Sequence, residues 1–287
     1  MIDPKKYSEV IKANIELHSK MSDHYSTCEP HFRPENISKV ESKYVEVLQS
    51  VPGNGYRKQL DLGCGTGFMI HIGKKYVDEI CGVDVTQAMM DKVDLSGNCK
   101  IKLINSDTGT VDPGAQDFDI VTAYSFLHHL YNIEPTVKTA FNALKTGGKF
   151  YADLDPNYYF WEGVNKLDRD GNYDPIIKRE IEAVTYKDED IEKNFGVKKE
   201  VFNTAEFGKN IAGGFKEEDL KNSLIAAGFT NVQFFYHWFV GQGLMINDES
   251  YSKEERFKNA EVTNELLQKA MPLSKNLFKY IGFIATK

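Results

Sequence analysis

Gln59–Phe68 reads QLDLGCGTGF. A short apolar run holding Asp61 leads straight into Gly63, Gly65 and Gly67. Glycine adopts backbone conformations closed to other residues and lets a ligand approach the main chain. The pattern predicts a buried strand, a tight turn and the start of a helix. A phosphate-binding P-loop needs G-x-x-x-x-G-K-[ST], with a lysine to meet the phosphates. Here Gly67 is followed by Phe68 and Met69. The dinucleotide fingerprint needs a small residue at its third site. Counted from Gly63 that site is Phe68, and counted from Gly65 it is Ile70. What stands is D-x-G-x-G-x-G from Asp61 to Gly67, a backbone cradle with no phosphate device.

Working outward, strands and helices alternate. The sequence predicts strands over Gln59–Leu62, Glu79–Val83, Ile101–Ile104, Phe118–Ala123 and Lys149–Leu154, and helices over Thr66–Tyr76 and Gln87–Val93. Ile133, Val137, Ala140, Phe141 and Leu144 mark an amphipathic helix closed by Gly147 and Gly148. Further on, Glu217–Ala227 is a helix with Gly228 as its cap, and Asn231–Val240 and Leu277–Ala285 are strands. Seven strands in this order imply an α/β, Rossmann-like, mostly parallel sheet with helices on both faces.

The flanks organise as follows. Tyr7, Val10, Ile11 and Ile15 recur at helical spacing, as do Ile37, Val40, Tyr44, Val47 and Leu48. They predict an N-terminal helical lid over 1–50, broken by a loop from Cys28 to Pro34. Pro52, Gly53 and Gly55 then interrupt the chain. The core spans 51–155. Over 156–214 the alternation stops, and the stretch is too long for an ordinary loop. It is expected to cover a substrate, with a helix through Ile177, Ile181 and Val184. The charged run Lys187–Lys193 is expected to be a solvated helix face. The core resumes over 215–287, with a helical insertion at about 242–276 through Phe257, Ala260, Leu267 and Met271.

Composition sets limits. With 41% hydrophobic residues, the 287-residue chain can bury a large core. The formal charge of -7 argues against a polyanionic partner, because nucleic-acid enzymes carry a basic face for phosphates. Cys28, Cys64, Cys81 and Cys99 form no C-x-x-C pair, so no zinc site and no disulfide framework is expected. A reduced, cytoplasmic setting follows. Lys5, Lys6, Glu9, Lys12 and Glu16 interrupt any signal-peptide core, and no apolar run is long enough to cross a bilayer.

Two more acids fall at predicted strand tips. Asp84 in GVDVT comes one helix and one strand after Gly67, and Asp107 in NSDTG follows the third strand. A carboxylate at the second tip can accept both hydroxyls of a ribose. One at the third can accept from an exocyclic adenine amine. Open α/β sheets bind ligands at this carboxyl edge.

Taken in order, LDLGCGTG, GVDVT, NSD, FDIVTAYSFLHHL and LKTGGKFYADLDPN resemble the class I S-adenosylmethionine-dependent methyltransferases, in the branch that modifies small molecules. The resemblance is strong over 51–155 and moderate over 215–231. It implies a seven-stranded sheet whose last strand is antiparallel. The implied cofactor is S-adenosylmethionine, leaving as S-adenosylhomocysteine. Its contacts would be Asp61 at the methionine end, Gly63, Cys64, Gly65 and Gly67 along the backbone cradle, Asp84 and Val85 at the ribose, Ser106 and Asp107 at the adenine, and Tyr124 and Ser125 after the fourth strand. Tyr25 or Arg33 is a candidate for the cofactor's carboxylate.

Methyl transfer from a sulfonium is an in-line displacement, and its main demand is alignment. A base is needed only where the nucleophile must lose a proton. His128 and His129 are the candidates, set against a purely structural role. Tyr158, Tyr159, Trp161 and Trp238 are candidates for an aromatic acceptor pocket, set against plain core packing. The fragment DPNY, Asp155–Tyr158, looks like a motif of amino-group methyltransferases but follows the fifth strand instead of the fourth, so it reads as accidental. The leading expectation is a methyltransferase acting on O, N or C of a small molecule. The alternatives are an RNA or protein methyltransferase, a non-catalytic binder of the cofactor or its product, an enzyme that transfers another group from the same cofactor, and a dinucleotide oxidoreductase. Oligomeric state is not legible.

Overall fold

The computed structural model describes residues 3–53, 55–184 and 188–287. The chain opens with α1 (Pro4–Met21), a short α2 (Tyr25–Cys28), a 3-10 turn (Pro30–Phe32) and α3 (Pro34–Gln49). Then come β1 (Lys58–Leu62), α4 (Phe68–Gly73), β2 (Glu79–Asp84), α5 (Gln87–Met90), β3 (Lys100–Asn105) and β4 (Phe118–Tyr124). A 3-10 turn (Leu127–His129), α6 (Glu134–Ala143) and β5 (Leu144–Pro156) follow. Next are α7 (Tyr158–Asn165), α8 (Pro175–Val184), α9 (Asp188–Phe195) and α10 (Lys199–Ala205). The last elements are α11 (Glu217–Ala227), β6 (Thr230–Phe239), α12 (Gln242–Ile246), α13 (Lys253–Lys269) and β7 (Phe278–Thr286).

One sheet takes all seven strands, in the order β3-β2-β1-β4-β5-β7-β6. The β1–β2, β1–β4, β2–β3 and β4–β5 pairs are parallel, and β7 runs antiparallel between β5 and β6. This is the sheet the motifs implied. Strand order reverses between β1 and β4, which puts a crevice at their carboxyl ends.

Alternation along the strands splits the core into two layers, because successive side chains point to opposite faces. Ile120 and Tyr151 pack with Tyr44, Ile70 and Ile80 on one face. Val121 and Phe150 pack with Leu220, Leu224 and Phe283 on the other. Each fully buried apolar side chain of this size stabilises the fold by about 1.5–3 kcal/mol. A buried polar chain crosses the first layer. Tyr44 Oη donates to Gln59 Oε1 (2.7 Å), and Gln59 Nε2 donates to Thr122 Oγ1 (3.0 Å). Thr122 Oγ1 in turn donates to Asp61 Oδ1 (2.7 Å). The network satisfies groups that would otherwise destabilise a dry interior, and it fixes Asp61 at the crevice.

Several boundaries move. The helix expected over Thr66–Tyr76 is only Phe68–Gly73, because Gly63, Gly65 and Gly67 all hold left-handed backbone and delay its start. The helix after β2 stops at Met90 instead of Val93. Leu144 leaves α6 to begin β5, so Gly147 and Gly148 lie inside that strand instead of closing the helix. Between Cys28 and Pro34 lies a 3-10 turn where a loop was expected. Lys187 of the charged run lies outside the described residues. The rest forms α9, whose Ile191 is buried while Glu189, Asp190, Glu192 and Lys193 face outward. Among the described residues, no helix is long and apolar enough to cross a membrane.

Candidate functional site

The turn after β1 is held by Gly63 N and Cys64 N, which donate to Val83 O on β2 (2.8 and 3.1 Å). Gly63 sits at φ +72°, and a Cβ there would lie 2.0 Å from Phe126 Cδ2. No other residue fits without displacing that ring. Above the turn lies a cavity lined by Asp61, Gly63, Cys64, Gly65, Thr66, Asp84, Val85, Asp107, Tyr124 and Ser125. Gly67 and Ser106 stay behind it. Gly67 faces Val93, and Ser106 N donates to Asp84 O (3.0 Å).

The three strand-tip acids converge here, each with different partners. Asp61 is 2% exposed, and burial pushes its pKa up to about 7 against the Thr122 hydrogen bond. Asp84 Oδ2 accepts from Gly65 N (2.9 Å) and Oδ1 from Thr86 N (2.7 Å). Burial also raises Asp84, and those two bonds oppose the rise. Each of its oxygens keeps a lone pair for a further donor. Asp107 Oδ1 accepts from Gly109 N (2.9 Å), and Oδ2 accepts from Tyr7 Oη on α1 (2.6 Å). Cys64 is buried, which pushes its thiol well up and keeps it protonated.

Helix α1 roofs the cavity with Tyr7, Val10, Ile11, Asn14 and His18. Its adjoining side seats Ala13 and Leu17 against Ile191, Val197 and Phe202. Asn14 Nδ2 donates to His129 O (2.9 Å) and to Val10 O (3.0 Å). These roof residues were missed. Asn14 and His18 are polar residues set within an apolar helical stripe, which is the signal that marked them.

A second cavity, of about 400 Å³, lies beside the first. His18, Tyr25, His31, Tyr124, Ser125 and His129 line both. Its other walls carry Lys39, Lys43, Arg179, Lys209 and Lys279 against Glu29, Asp153 and Glu206, so cations outnumber carboxylates. Ser125, Leu154 and Trp238 also line it, and all three hold positive φ (51°, 62° and 58°). Such conformations cost roughly 1–3 kcal/mol each and gather at functional sites.

His128 lines only the second cavity, whereas His129 reaches both. His128 Nδ1 lies 2.8 Å from Asp155 Oδ1, which also accepts from His128 N (3.0 Å). His129 Nδ1 lies 3.0 Å from Ala205 O. Burial lowers the pKa of His128 to about 4 and that of His129 well below the usual range, so both are neutral at pH 7. Burial would raise the pKa of Glu206, but the Lys209 ammonium beside it pulls the carboxyl the other way, below the usual carboxylate range.

Other candidates fall elsewhere. Arg33 is exposed at the N-cap of α3 and reaches neither cavity. Tyr158, Tyr159 and Trp161 also miss both, because Asn157 caps a helix there and turns them away. Tyr158 lies under Lys216, and Tyr159 Oη donates to Glu218 Oε2 (2.7 Å). Trp161 packs with Phe160, Val164 and Ile181, one layer behind Lys209. Of the aromatic candidates, Trp238 alone lines the second cavity. Asp155 and Asn157 of the DPNY fragment serve the fold, Asn157 Nδ2 donating to Lys275 O and Phe278 O (2.8 and 2.7 Å).

The first cavity fits S-adenosylmethionine. Its lining has acids for ribose and adenine but, among the described residues, no lysine or arginine for a phosphate. Thr66 Oγ1, buried on its wall, has no partner of its own. Strand order, glycine turn and acidic tips together match those of the class I S-adenosylmethionine-dependent methyltransferase domain. In agreement, residues 60–152 match the methyltransferase domain family. A ubiquinone biosynthesis O-methyltransferase of Coxiella burnetii is 28% identical over 126 residues, 42% of this chain and 53% of the relative. An uncharacterized methyltransferase of Bacillus subtilis, YcgJ, is 32% identical over 119 residues, 38% of this chain and 46% of the relative. The chain thus spans about half the length of the curated relatives it matches. The crystal structure of YcgJ shares the fold, with a TM-score of 0.51 at 15% identity over 87% of this chain and 98% of that one. So does an S-adenosylmethionine-dependent methyltransferase from Mesorhizobium loti, with a TM-score of 0.51 at 16% identity over 86% of this chain and 98% of that one.

Proposed function

We propose that the chain is an enzyme that methylates O, N or C of a small polar molecule held in the second cavity. The observation that carries this is the shared wall of His18, Tyr25, His31, Tyr124, Ser125 and His129. Ligands in the two cavities would meet there without intervening backbone, the alignment an in-line displacement requires. The cofactor supplies a methyl group on a sulfonium. The residues would act as follows. Asp84 accepts from the ribose hydroxyls, Asp107 from the adenine amine, and Asp61 faces the methionine end. Gly63, Cys64 and Gly65 offer main chain, Val85 packs beside the ribose, and Tyr124 and Ser125 border the methyl. Gly67 and Ser106 act indirectly, by shaping the loops. Tyr25 and α1 close the site, and Trp238 contacts the acceptor. The helices of 156–214 cover the acceptor, and Arg179, Phe195, Phe202, Glu206 and Lys209 of that stretch stand in the cavity wall.

Where the nucleophile carries a proton, neutral His129 is better placed than His128 to take it, since it borders both cavities. The mixed charges of the second cavity favour a polar acceptor over an apolar one. The O-methyltransferase relatives support a small-molecule acceptor with a reactive oxygen. Free thiols at Cys64, Cys81 and Cys99 suit a reduced, cytoplasmic setting.

Cofactor labelled on its methyl group, incubated with the protein and a fractionated cell extract, tests the proposal. Label in small molecules supports it. Label in RNA or protein replaces it with a macromolecular methyltransferase. Saturable cofactor binding with no transfer to any fraction would leave a binding protein.

A further inference from the structure

Two buried histidines and a partly buried glutamate converge on the second cavity from two separate segments. His128 and His129 stand on the 3-10 turn after β4, and Glu206 follows α10. One ligand atom from each lies within 4.8 Å of the others. His128 Nε2 is 3.8 Å from Glu206 Oε2, and His129 Nδ1 is 3.6 Å from Glu206 Oε1.

The arrangement is built, not incidental. Residues Phe207–Ile211 form a π-helical turn, a rare conformation that recurs at functional sites. Gly208 in that turn lies so close to the other segment that a Cβ would stand 2.8 Å from His128 Cα. Only glycine allows this approach, and the approach sets Glu206 against the two rings.

The orientation of the first ring suits a metal ligand. His128 Nδ1 is engaged by Asp155 Oδ1 at 2.8 Å, which turns its Nε2 toward Glu206 Oε2 at 3.8 Å. A histidine whose Nδ1–H is held by a carboxylate is also the usual outer arrangement around a metal ligand. Two imidazoles and one carboxylate are the donor set of catalytic zinc sites and of non-heme iron(II) sites.

We propose that His128, His129 and Glu206 bind a divalent first-row transition-metal ion, with a coordination position open to the second cavity for an oxygen ligand. Donor atoms around zinc lie about 3.3 Å apart, given bonds of about 2.0–2.1 Å. The three side chains therefore draw together on binding. Lys209 Nζ, 3.4 Å from Glu206 Oε2, is the competing cation and swings away on its flexible stem. The sequence predicts no metal site because the donors share no local spacing. The ion's binding does not depend on the methyl-transfer reading. If both hold, the histidines are ligands, and the ion takes over activation of an acceptor oxygen.

Metal-stripped full-length protein should be dialysed against Zn²⁺ and, in parallel, Co²⁺. The expected result is one ion per chain, with the visible absorption of cobalt in a site of low symmetry. Glu206→Gln keeps the shape of the side chain and should weaken binding at least tenfold. Lys209→Met removes the competitor and should tighten it several-fold, an effect no purely structural role gives. Sub-stoichiometric uptake by the wild type overturns the proposal. So does an affinity that neither substitution moves in a protein that still melts cooperatively.

Discussion

The two cavities share a wall but are made in opposite ways. The first is built from consecutive strand tips, and main-chain N–H groups hold two of its three acids. Asp84 is held by Gly65 N and Thr86 N, and Asp107 by Gly109 N. The second draws on α1, α3, β5, α8, α10 and β6, and its polar groups are side chains that pair with one another. Lys209 pairs with Glu206, Lys279 with Glu180, and His237 with Asp153. A site fixed by backbone suits one invariant ligand. A site of paired side chains can be retuned for a new ligand without rebuilding the fold.

The largest expected effect falls on the backbone-fixed side. Gly63→Ala puts a methyl group into the Phe126 ring at a left-handed position. S-adenosylhomocysteine affinity should fall more than about a hundredfold, as strain and lost shape add. Calorimetry beside a thermal melt separates this from unfolding. Asp84→Ala removes charge-assisted bonds worth about 1.5–3 kcal/mol and should weaken cofactor binding roughly ten- to a hundredfold. An unchanged affinity would remove Asp84 from the ribose.

The shared wall gives a pH test. Burial depresses His31 from 6.5 to about 4, so between those values the unfolded chain binds a proton that the fold does not. This contribution is intact above pH 6.5 and is lost as pH falls toward 4. The stability lead of the wild type over His31→Gln should therefore shrink by about 2 kcal/mol between pH 7 and pH 5. Urea unfolding at the two pH values measures it, and a constant lead would mean that His31 titrates in the fold as it does in the unfolded chain.

Smaller effects probe the division between the cavities. Trp238→Ala should raise KM for the acceptor about tenfold while leaving the S-adenosylhomocysteine Kd within about twofold. Equal losses in both would mean that the cavities are not separable. Tyr7→Phe deletes one hydrogen bond to Asp107, worth about 0.5–1.5 kcal/mol. It should speed cofactor release a few-fold in stopped-flow measurements.

The same contrast explains what the sequence made legible. Asp61, Gly63, Asp84 and Asp107 are readable because each sits at a strand tip, where strand periodicity and glycine spacing fix position and direction together. Tyr158, Tyr159 and Trp161 misled because Asn157 starts a helix where the aromatic run suggested the mouth of a strand. Glu206, Lys209 and Arg179 gave no local signal at all. Their meaning comes from packing between distant segments, such as the Gly208–His128 contact. Arg33 was chosen for its chemistry, but its place at the N-cap of α3 leaves it in solvent.

The central claim is that the first cavity holds a phosphate-free nucleoside cofactor. Calorimetric titration of the purified chain with S-adenosylhomocysteine, with NAD as competitor, tests it most directly. One saturable site per chain, unaffected by NAD and weakened in Asp84→Ala, is the predicted result. No saturable binding, or displacement by NAD, would contradict it.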